Sequence, residues 1–373
     1  MQPSLSSRIL LVTPRYFPYM GGVETHVYEV ARRFAAAGHS ATVLTTDPGG
    51  ELPPREQVEG VDIIRVKAYP SDHDYYIAPA IYNAVRRGDW DVVHVQGFHT
   101  FVPPIAMLAA RNARIPYLMS FHSGGHSSSR RHAVRDLQAK LMRPLLAGAQ
   151  RLVGVSRFEA ELFQKRLGLP AERFMVIPNG SHLPKITPVE TPATDTTILS
   201  VGRLERYKGH HRVLEAFPQI LAQRPDARLR ILGSGPYEPE LRQLAHQLGV
   251  EERTEIGAIS PGNREGMATI MSSATLVTLL SEYEAHPIAV MEALSLQRPV
   301  LVADTSGLSE LAQDGFVSAI PLESTSTQVA EAVLDQLRSP RTPSPIALPT
   351  WDECAASLLA LYDQVIEEFR CAS

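Results

Sequence analysis

The sequence predicts an α/β protein made of two consecutive Rossmann-like parallel-sheet domains. Short apolar runs recur along the chain, each followed by a loop and then by apolar residues at helical spacing. The scheme runs through twice, broken by a Pro- and Thr-rich stretch at 183–197. The 373 residues are too many for one ordinary domain and suit two.

The elements follow in order. Ile9–Val12 reads as a buried strand stopped by Pro14. A loop from Arg15 ends in Gly21-Gly22. Val23, Val27, Val30, Ala31 and Phe34 then mark a helix that Gly38 closes in the position of a left-handed cap. Ala41–Leu44, Asp91–Val95, Tyr117–Ser120 and Arg151–Val155 read as further strands, with helical stretches between. Ser156 is placed to cap a helix carrying Phe158, Leu162 and Phe163. After the linker, Thr197–Val201, Leu229–Leu232, Leu276–Leu280 and Pro299–Ala303 repeat the buried-strand pattern. A second Pro-rich stretch at 338–349 precedes a last helix. Thr350 and Glu353 have capping-box spacing there, and Leu358, Leu361, Tyr362, Val365, Ile366 and Phe369 form the apolar stripe. The reading is an N-terminal domain over 1–182, joined by a terminal helix at 351–373 that can return to it. A linker spans 183–197, and a second domain spans 198–350. Two such units are expected to face a central cleft.

Composition narrows the function classes. Hydrophobic residues make up 44% and charged residues 20%, which excludes a disordered or fibrous chain. The net charge of −4 offers no global basic field, so no nucleic-acid partner is expected. The two cysteines, Cys354 and Cys371, build neither a disulfide framework nor a cysteine zinc site. The polar start, Met1 to Arg8, does not read as a signal peptide, and no apolar run approaches the ~20 residues that span a bilayer. A cytoplasmic protein is expected.

The strongest chemical signal is SEYEAHPIAVMEAL, 281–294. Pro287 fits the first helical position, which leaves the amides of Ile288 and Ala289 at the helix start, where phosphates bind. Glu284 precedes that helix and Glu292 lies in it; carboxylates there suit hydroxyls better than phosphates. Phosphate flanked by hydroxyls describes a nucleotide sugar. Taken alone, the segment also fits a solvated helix with two surface acids. The second signal is Arg203 and Lys208, in the strand-to-helix loop that starts at Gly202 and can neutralise a diphosphate leaving group. The spacing is not that of a Walker loop. Gly21 and Gly22 permit close backbone approach to a diphosphate, and His122, after a buried strand, can reach into a cleft.

Other features are discounted. Gly233-Ser234-Gly235 has Glu238 where a dinucleotide fingerprint needs glycine. His122 and His126 are separated by Gly124-Gly125, which argues against a helix presenting both to a metal. His210-His211 reads as a surface pair. No carboxylate cluster suggests a metal cage, so no cofactor or metal is expected.

In combination these segments resemble glycosyltransferase family 4, retaining enzymes of the GT-B fold. FPYMGGVETHVYEVARRFAAAGH resembles the family's opening Gly-Gly loop and helix. DVVHVQG and SFHS are similar to its first-domain strands, and VGVS and VIPNG to the run into the linker. VGRLERYKG resembles its diphosphate loop, Glu284 and Glu292 its Glu-x7-Glu motif, and TSGLSEL its Gly-x-x-Glu segment. Departures are Ala285-His286-Pro287 for the family's Phe-Gly, Ser181-His182 after Pro-Asn-Gly, and Ser306-Gly307 for Gly-Gly.

The resemblance implies a retaining, metal-independent transferase. A hexose-type sugar would move from a UDP- or GDP-linked donor to a hydroxyl on a lipid-linked sugar, a polysaccharide precursor or a small molecule. It implies that Arg203 and Lys208 hold the diphosphate, Glu284 the sugar hydroxyls and Glu292 the ribose. His122 would lie beside the transferred sugar, and Gly22 would let the first domain close on the phosphates. A nucleotide-sugar epimerase of similar architecture, or a non-catalytic nucleotide-sugar-binding protein, remains the alternative. The stretch 130–151 carries Arg130, Arg131, Arg135, Lys140, Arg143 and Arg151 against Asp136, with Val134, Leu137, Leu141, Leu145 and Leu146 as apolar surface. It reads either as a peripheral anionic-membrane contact or as a core-packed helix with a basic face, interrupted by Pro144.

Overall fold

A computed structural model of the chain describes residues 6–19, 21–70, 77–98, 100–123, 129–181, 183, 196–260, 263–341 and 348–372, with side chains at 129–137 outside that set. His126 and His182, and linker residues 184–195, lie outside the described residues. The chain divides into two compact units. One comprises Met1–Ser123, Arg130–Gly180 and Pro349–Ser373, the other Gly124–Ser129 and Ser181–Leu348.

The first unit contains β1 (Arg8–Val12), α1 (Gly22–Ala36), β2 (Ser40–Asp47), β3 (Arg55–Val58), β4 (Val61–Lys67), α2 (Ala80–Arg87) and β5 (Val92–Gln96). It continues with α3 (Val102–Ala113), β6 (Tyr117–Ser120), α4 (Ser129–Leu146), β7 (Arg151–Gly154), α5 (Arg157–Leu167) and β8 (Phe174–Val176). The sheet order is β3-β4-β2-β1-β5-β6-β7-β8, parallel throughout except for β3 against β4. The strand order reverses between β1 and β5, where open α/β sheets bind ligands at their carboxyl ends. β1 and β5 are buried on both faces, as a parallel sheet covered by helices requires.

The second unit contains β9 (Thr197–Val201), α6 (His210–Gln223), β10 (Arg228–Leu232), α7 (Glu238–Gln247), β11 (Thr254–Gly257) and α8 (Arg264–Ser273). It continues with β12 (Leu276–Leu279), α9 (Ile288–Ser295), β13 (Val300–Asp304), α10 (Ser306–Gln313), β14 (Ser318–Pro321) and α11 (Ser326–Arg338). Its sheet, β11-β10-β9-β12-β13-β14, is wholly parallel, and the order reverses between β9 and β12.

The last helix, α12 (Trp351–Ala372), belongs to the first unit and packs on α1. Its start has the expected capping box: the Glu353 N–H donates to Thr350 Oγ1 at 3.1 Å, and Glu353 accepts from the Thr350 N–H at 2.8 Å. Tyr362 ties it inward, its hydroxyl 2.5 Å from His94 Nδ1, while His94 Nε2 meets Ser120 Oγ at 2.8 Å.

One expectation about the basic stretch changes. Pro144 does not interrupt α4, which runs on to Leu146; in the last turn, one missing N–H removes only one ladder bond. Arg151 opens β7, as the strand reading expects, and pairs with Glu368 of α12 at 2.9 Å. Leu141 remains 71% exposed, whereas Leu146 is buried.

Candidate active site

In the second domain, the loops after β9 and β12 lie at the reversal of strand order. The first runs from Gly202 through Arg203 and Lys208 to Gly209. Gly209 has φ +74°, and a Cβ there would overlap the Leu280 carbonyl of the other loop. Glycine is therefore what lets the two loops touch. The contact places Lys208 Nζ 2.6 Å from Glu284 Oε1, and Ser281 Oγ donates to the same oxygen at 2.8 Å. Burial alone would lower the Lys208 ammonium. The Glu284 carboxylate, with Tyr207, more than offsets this and holds it above its ordinary value. Arg203 differs: its side chain is 59% exposed and pairs with Glu205 at 2.9 Å, with a hydrogen bond to Tyr207 Oη at 3.0 Å.

The Glu284 backbone is braced by the start of α10. Its N–H donates to Ser306 Oγ and its carbonyl accepts from the Gly307 N–H, both at 2.8 Å. A Cβ on Gly307 would collide with the Ala285 carbonyl, so the TSGLSEL segment is a scaffold for the Glu284 loop. Pro287 is not the first helical residue but the cap before it, with extended ψ of 102°. Its carbonyl accepts from Val290 and Met291, which leaves the first-turn amides of Ile288 and Ala289 without an acceptor inside the helix.

Glu292, 4% exposed, forms an ion pair with Arg264 at the start of α8. The sequence reading missed Arg264. Asn263 caps α8 through a bond from the Gly266 N–H at 2.8 Å and is the only local signal nearby; it does not point to Glu292. Two discounted features gain structural roles. His210 is fully buried rather than on the surface, bonded to Ser200 Oγ at 2.8 Å, and burial lowers it to about 4. His211 is half-buried, and burial lowers it to about 4 as well. Gly233 and Gly235 pack against the backbone of the 202–204 loop, where any Cβ would overlap carbonyl oxygens.

In the first domain, Gly21 precedes α1 and Gly22 opens it. A Cβ at Gly22 would meet open space, so packing does not require that glycine. His122 follows β6 with φ +44°, is 9% exposed, and places Nε2 2.8 Å from Gln96 Oε1 at the end of β5. His26 of α1 lies beside it, ring centroids 4.5 Å apart, with Nδ1 2.8 Å from Asn179 Oδ1 and its ring edge toward Trp351. Burial lowers His26 to about 4, against the opposing Asn179 bond, so this imidazole is neutral near pH 7. The sequence reading picked out His122 and missed His26, Gln96 and Asn179. Of the expected groups, Lys208 and Glu284 meet in the second domain, Arg203 and Glu292 pair instead with Glu205 and Arg264, and His122 meets residues that were not expected.

Comparisons with known proteins give the family and the fold. Residues 20–183 match the family described as Glycosyltransferase Family 4, and residues 185–346 match Glycosyl transferases group 1. The chain is 27% identical over 316 residues to a GDP-mannose:cellobiosyl-diphosphopolyprenol alpha-mannosyltransferase of Xanthomonas campestris, covering 82% of this chain and 81% of that protein. The structure of sucrose-phosphate synthase from Thermosynechococcus elongatus superposes with a TM-score of 0.79 at 21% identity, covering 97% of this chain and 100% of that one. Anabaena HepE in complex with UDP and glucose gives a TM-score of 0.68 at 18% identity, covering 97% of each chain. The two parallel-sheet domains are those of the GT-B fold.

Proposed function

The chain belongs to glycosyltransferase family 4, and from that premise we propose that it moves a hexose-type sugar from a UDP- or GDP-linked donor to a hydroxyl acceptor, with retention and without a metal. The observation that carries the reading is the Lys208–Glu284 pair at the second sheet's reversal point, Glu284 lying in the loop that leads into α9. A cation and helix-start amides suit a diphosphate; the carboxylate paired with that cation suits the hydroxyls of the attached sugar. HepE, whose structure was determined with UDP and glucose, shares the fold.

In the proposed reaction the bond between the anomeric carbon and the diphosphate oxygen breaks, and its electron pair goes to the diphosphate. Lys208, Arg203 and the amides of Ile288 and Ala289 stabilise that growing charge. The acceptor oxygen bonds the anomeric carbon on the face the phosphate leaves, and its proton passes to a leaving phosphate oxygen. Glu284 orients the sugar, Glu292 the ribose, and His122 the transferred sugar's first-domain side. Gly22, with open space where a Cβ would stand, leaves backbone for phosphate to approach, whereas the Glu24 carboxylate stands against Gly21.

The acceptor is proposed to be a lipid-linked sugar, since the Xanthomonas relative is named for a diphosphopolyprenol acceptor. Leu141, exposed on the basic helix α4, supports a peripheral contact with anionic membrane; no helix among the described residues is long and apolar enough to cross one. Incubation with a panel of nucleotide sugars, following nucleotide release and product mass in excess EDTA, tests the whole reading. Transfer should persist in EDTA. Release without a new glycoside, or interconversion of the donor sugar, would overturn transfer. Flotation with anionic and neutral vesicles tests the membrane contact, which should require anionic lipid and weaken with salt.

A further inference from the structure

The first domain holds a buried carboxylate that the proposed reaction does not use. Glu159 lies in the first turn of α5 and is fully buried. The hydrogen bonds to its carboxylate come from neutral donors. Oε1 accepts from the Ser123 N–H and the Ser123 hydroxyl, each at 2.5 Å; Oε2 accepts from the Val155 N–H at 2.9 Å. The His122 backbone adds to the pull that lowers its pKa. Burial pushes the carboxyl above its ordinary value, and these donors pull it back. A helix cap is already supplied by Ser156 Oγ, which accepts from the Glu159 N–H, so the carboxylate is not needed for that purpose.

The carboxylate ties together the exits of two adjacent parallel strands, β6 and β7. His122 stands at the first exit, in the left-handed backbone region that disfavours residues with a Cβ. Its ring is held by Gln96, and the N–H of the next residue, Ser123, by Glu159. Strain of this kind persists only where neighbours impose it.

We propose that Glu159 is a positioning residue for His122: its carboxylate holds the 122–123 backbone in the conformation that aims the imidazole, so a buried acid on α5 governs sugar transfer. The inference rests on the role given to His122 above. Glu159→Gln keeps the shape but turns one acceptor into a donor facing backbone N–H groups. Displacing His122 by a fraction of an ångström should lower kcat by about 10–100-fold. The KM for donor and the affinity for free nucleoside diphosphate should stay within two-fold of wild type, an order-of-magnitude expectation for an interaction confined to the transition state.

The test compares Glu159→Gln, Ser156→Ala, His122→Ala and the Glu159→Gln/His122→Ala double variant. Ser156→Ala removes the α5 cap without touching 122–123; it should lower thermal stability and leave kcat near wild type. In the His122→Ala background, Glu159→Gln should cost nothing further. Multiplicative losses, or a kcat for Glu159→Gln no lower than for Ser156→Ala, would overturn the proposal. A separate readout protects against an error in the role of His122. The His122 ring resonance, assigned by difference from His122→Ala, should shift in Glu159→Gln and stay put in Ser156→Ala. If it does not shift, Glu159 does not position His122, whatever His122 does in catalysis. If it shifts while His122→Ala turns over normally, the positioning stands and the catalytic role of His122 falls.

Discussion

The two domains present their functional groups by opposite electrostatic means. In the second, the groups are charged and already paired: Lys208 with Glu284, Arg264 with Glu292, Arg203 with Glu205. In the first, His26 is held neutral, His122 rests on a carboxamide, and the buried Glu159 is met by neutral donors. Charge stabilisation is accordingly proposed for the second domain. Around His122 stand an imidazole and a carboxamide, which suit the orientation proposed for a neutral sugar.

The largest effect should come from breaking the charged side. Lys208→Ala removes a largely buried cation from the developing diphosphate charge and leaves Glu284 without its ion-pair partner; turnover should fall by about 100-fold or more. Arg203→Ala should cost less, because its guanidinium is 59% exposed and solvent can replace part of it. Steady-state rates with circular dichroism as a fold check measure both, and a larger loss for Arg203→Ala would reverse the assignment.

The two carboxylates should then separate. Glu292→Gln is expected to weaken binding of the free nucleoside diphosphate by about 10-fold, the worth of one hydrogen bond to a charged group. Glu284→Gln should leave that affinity nearly intact and lower kcat. Calorimetry on both variants distinguishes them, and equal loss of affinity would contradict separate ribose and sugar roles.

How much of this was legible in the sequence follows from packing. Strands such as β1, β5, β9 and β13 are buried nearly throughout and read as apolar runs. The missed strands β3, β8, β11 and β14 are the four sheet edges. They are short, and sequences such as REQV and TEIG carry no apolar run. β4 is interior, but its buried and exposed positions alternate, so VDIIRVK shows no continuous core. In the site, Lys208, Glu284 and Glu292 were readable because a cation loop and a helix start impose local residue choices. Arg264 and Glu159 were not, because their partners lie 28 and 36 positions away and only the packing of separate elements joins them.

Acid should act on the first domain through its buried histidines. Burial lowers His94 to about 3, with His26 adding to the effect, and burial lowers His26 itself to about 4, from an ordinary 6.5. Both folded values lie below the unfolded one, so the unfolded chain takes up protons first as pH falls. Their stabilisation is therefore whole above pH 6.5 and is lost as pH falls toward the folded values. Trp90 and Trp351, the only tryptophans, both belong to this unit, so urea unfolding followed by tryptophan fluorescence reports on it. Between pH 4 and 6, His94→Asn should reduce the pH slope by about one proton, or ~1.4 kcal/mol per pH unit. An unchanged slope would mean that His94 titrates normally.

The smallest effect concerns a strained residue in each domain. His122 at φ +44° depends on a distant acid, whereas Ser306 at φ +52° supplies its own tie, its Oγ accepting from the Glu284 N–H. The left-handed backbone costs about 1–2 kcal/mol for a residue with a Cβ. Ser306→Gly removes that cost, loses a hydrogen bond worth about 0.5–1.5 kcal/mol, and frees the unfolded chain by about 0.4–1 kcal/mol. These terms nearly cancel, so its stability should lie within about 1 kcal/mol of wild type. Ser306→Ala keeps the strain and loses the same hydrogen bond, about 0.5–1.5 kcal/mol, with no relief of strain to offset it. Chemical denaturation should therefore rank wild type and Ser306→Gly close together and Ser306→Ala below both. If Ser306→Ala matched wild type, the hydroxyl would not be what holds the Glu284 loop.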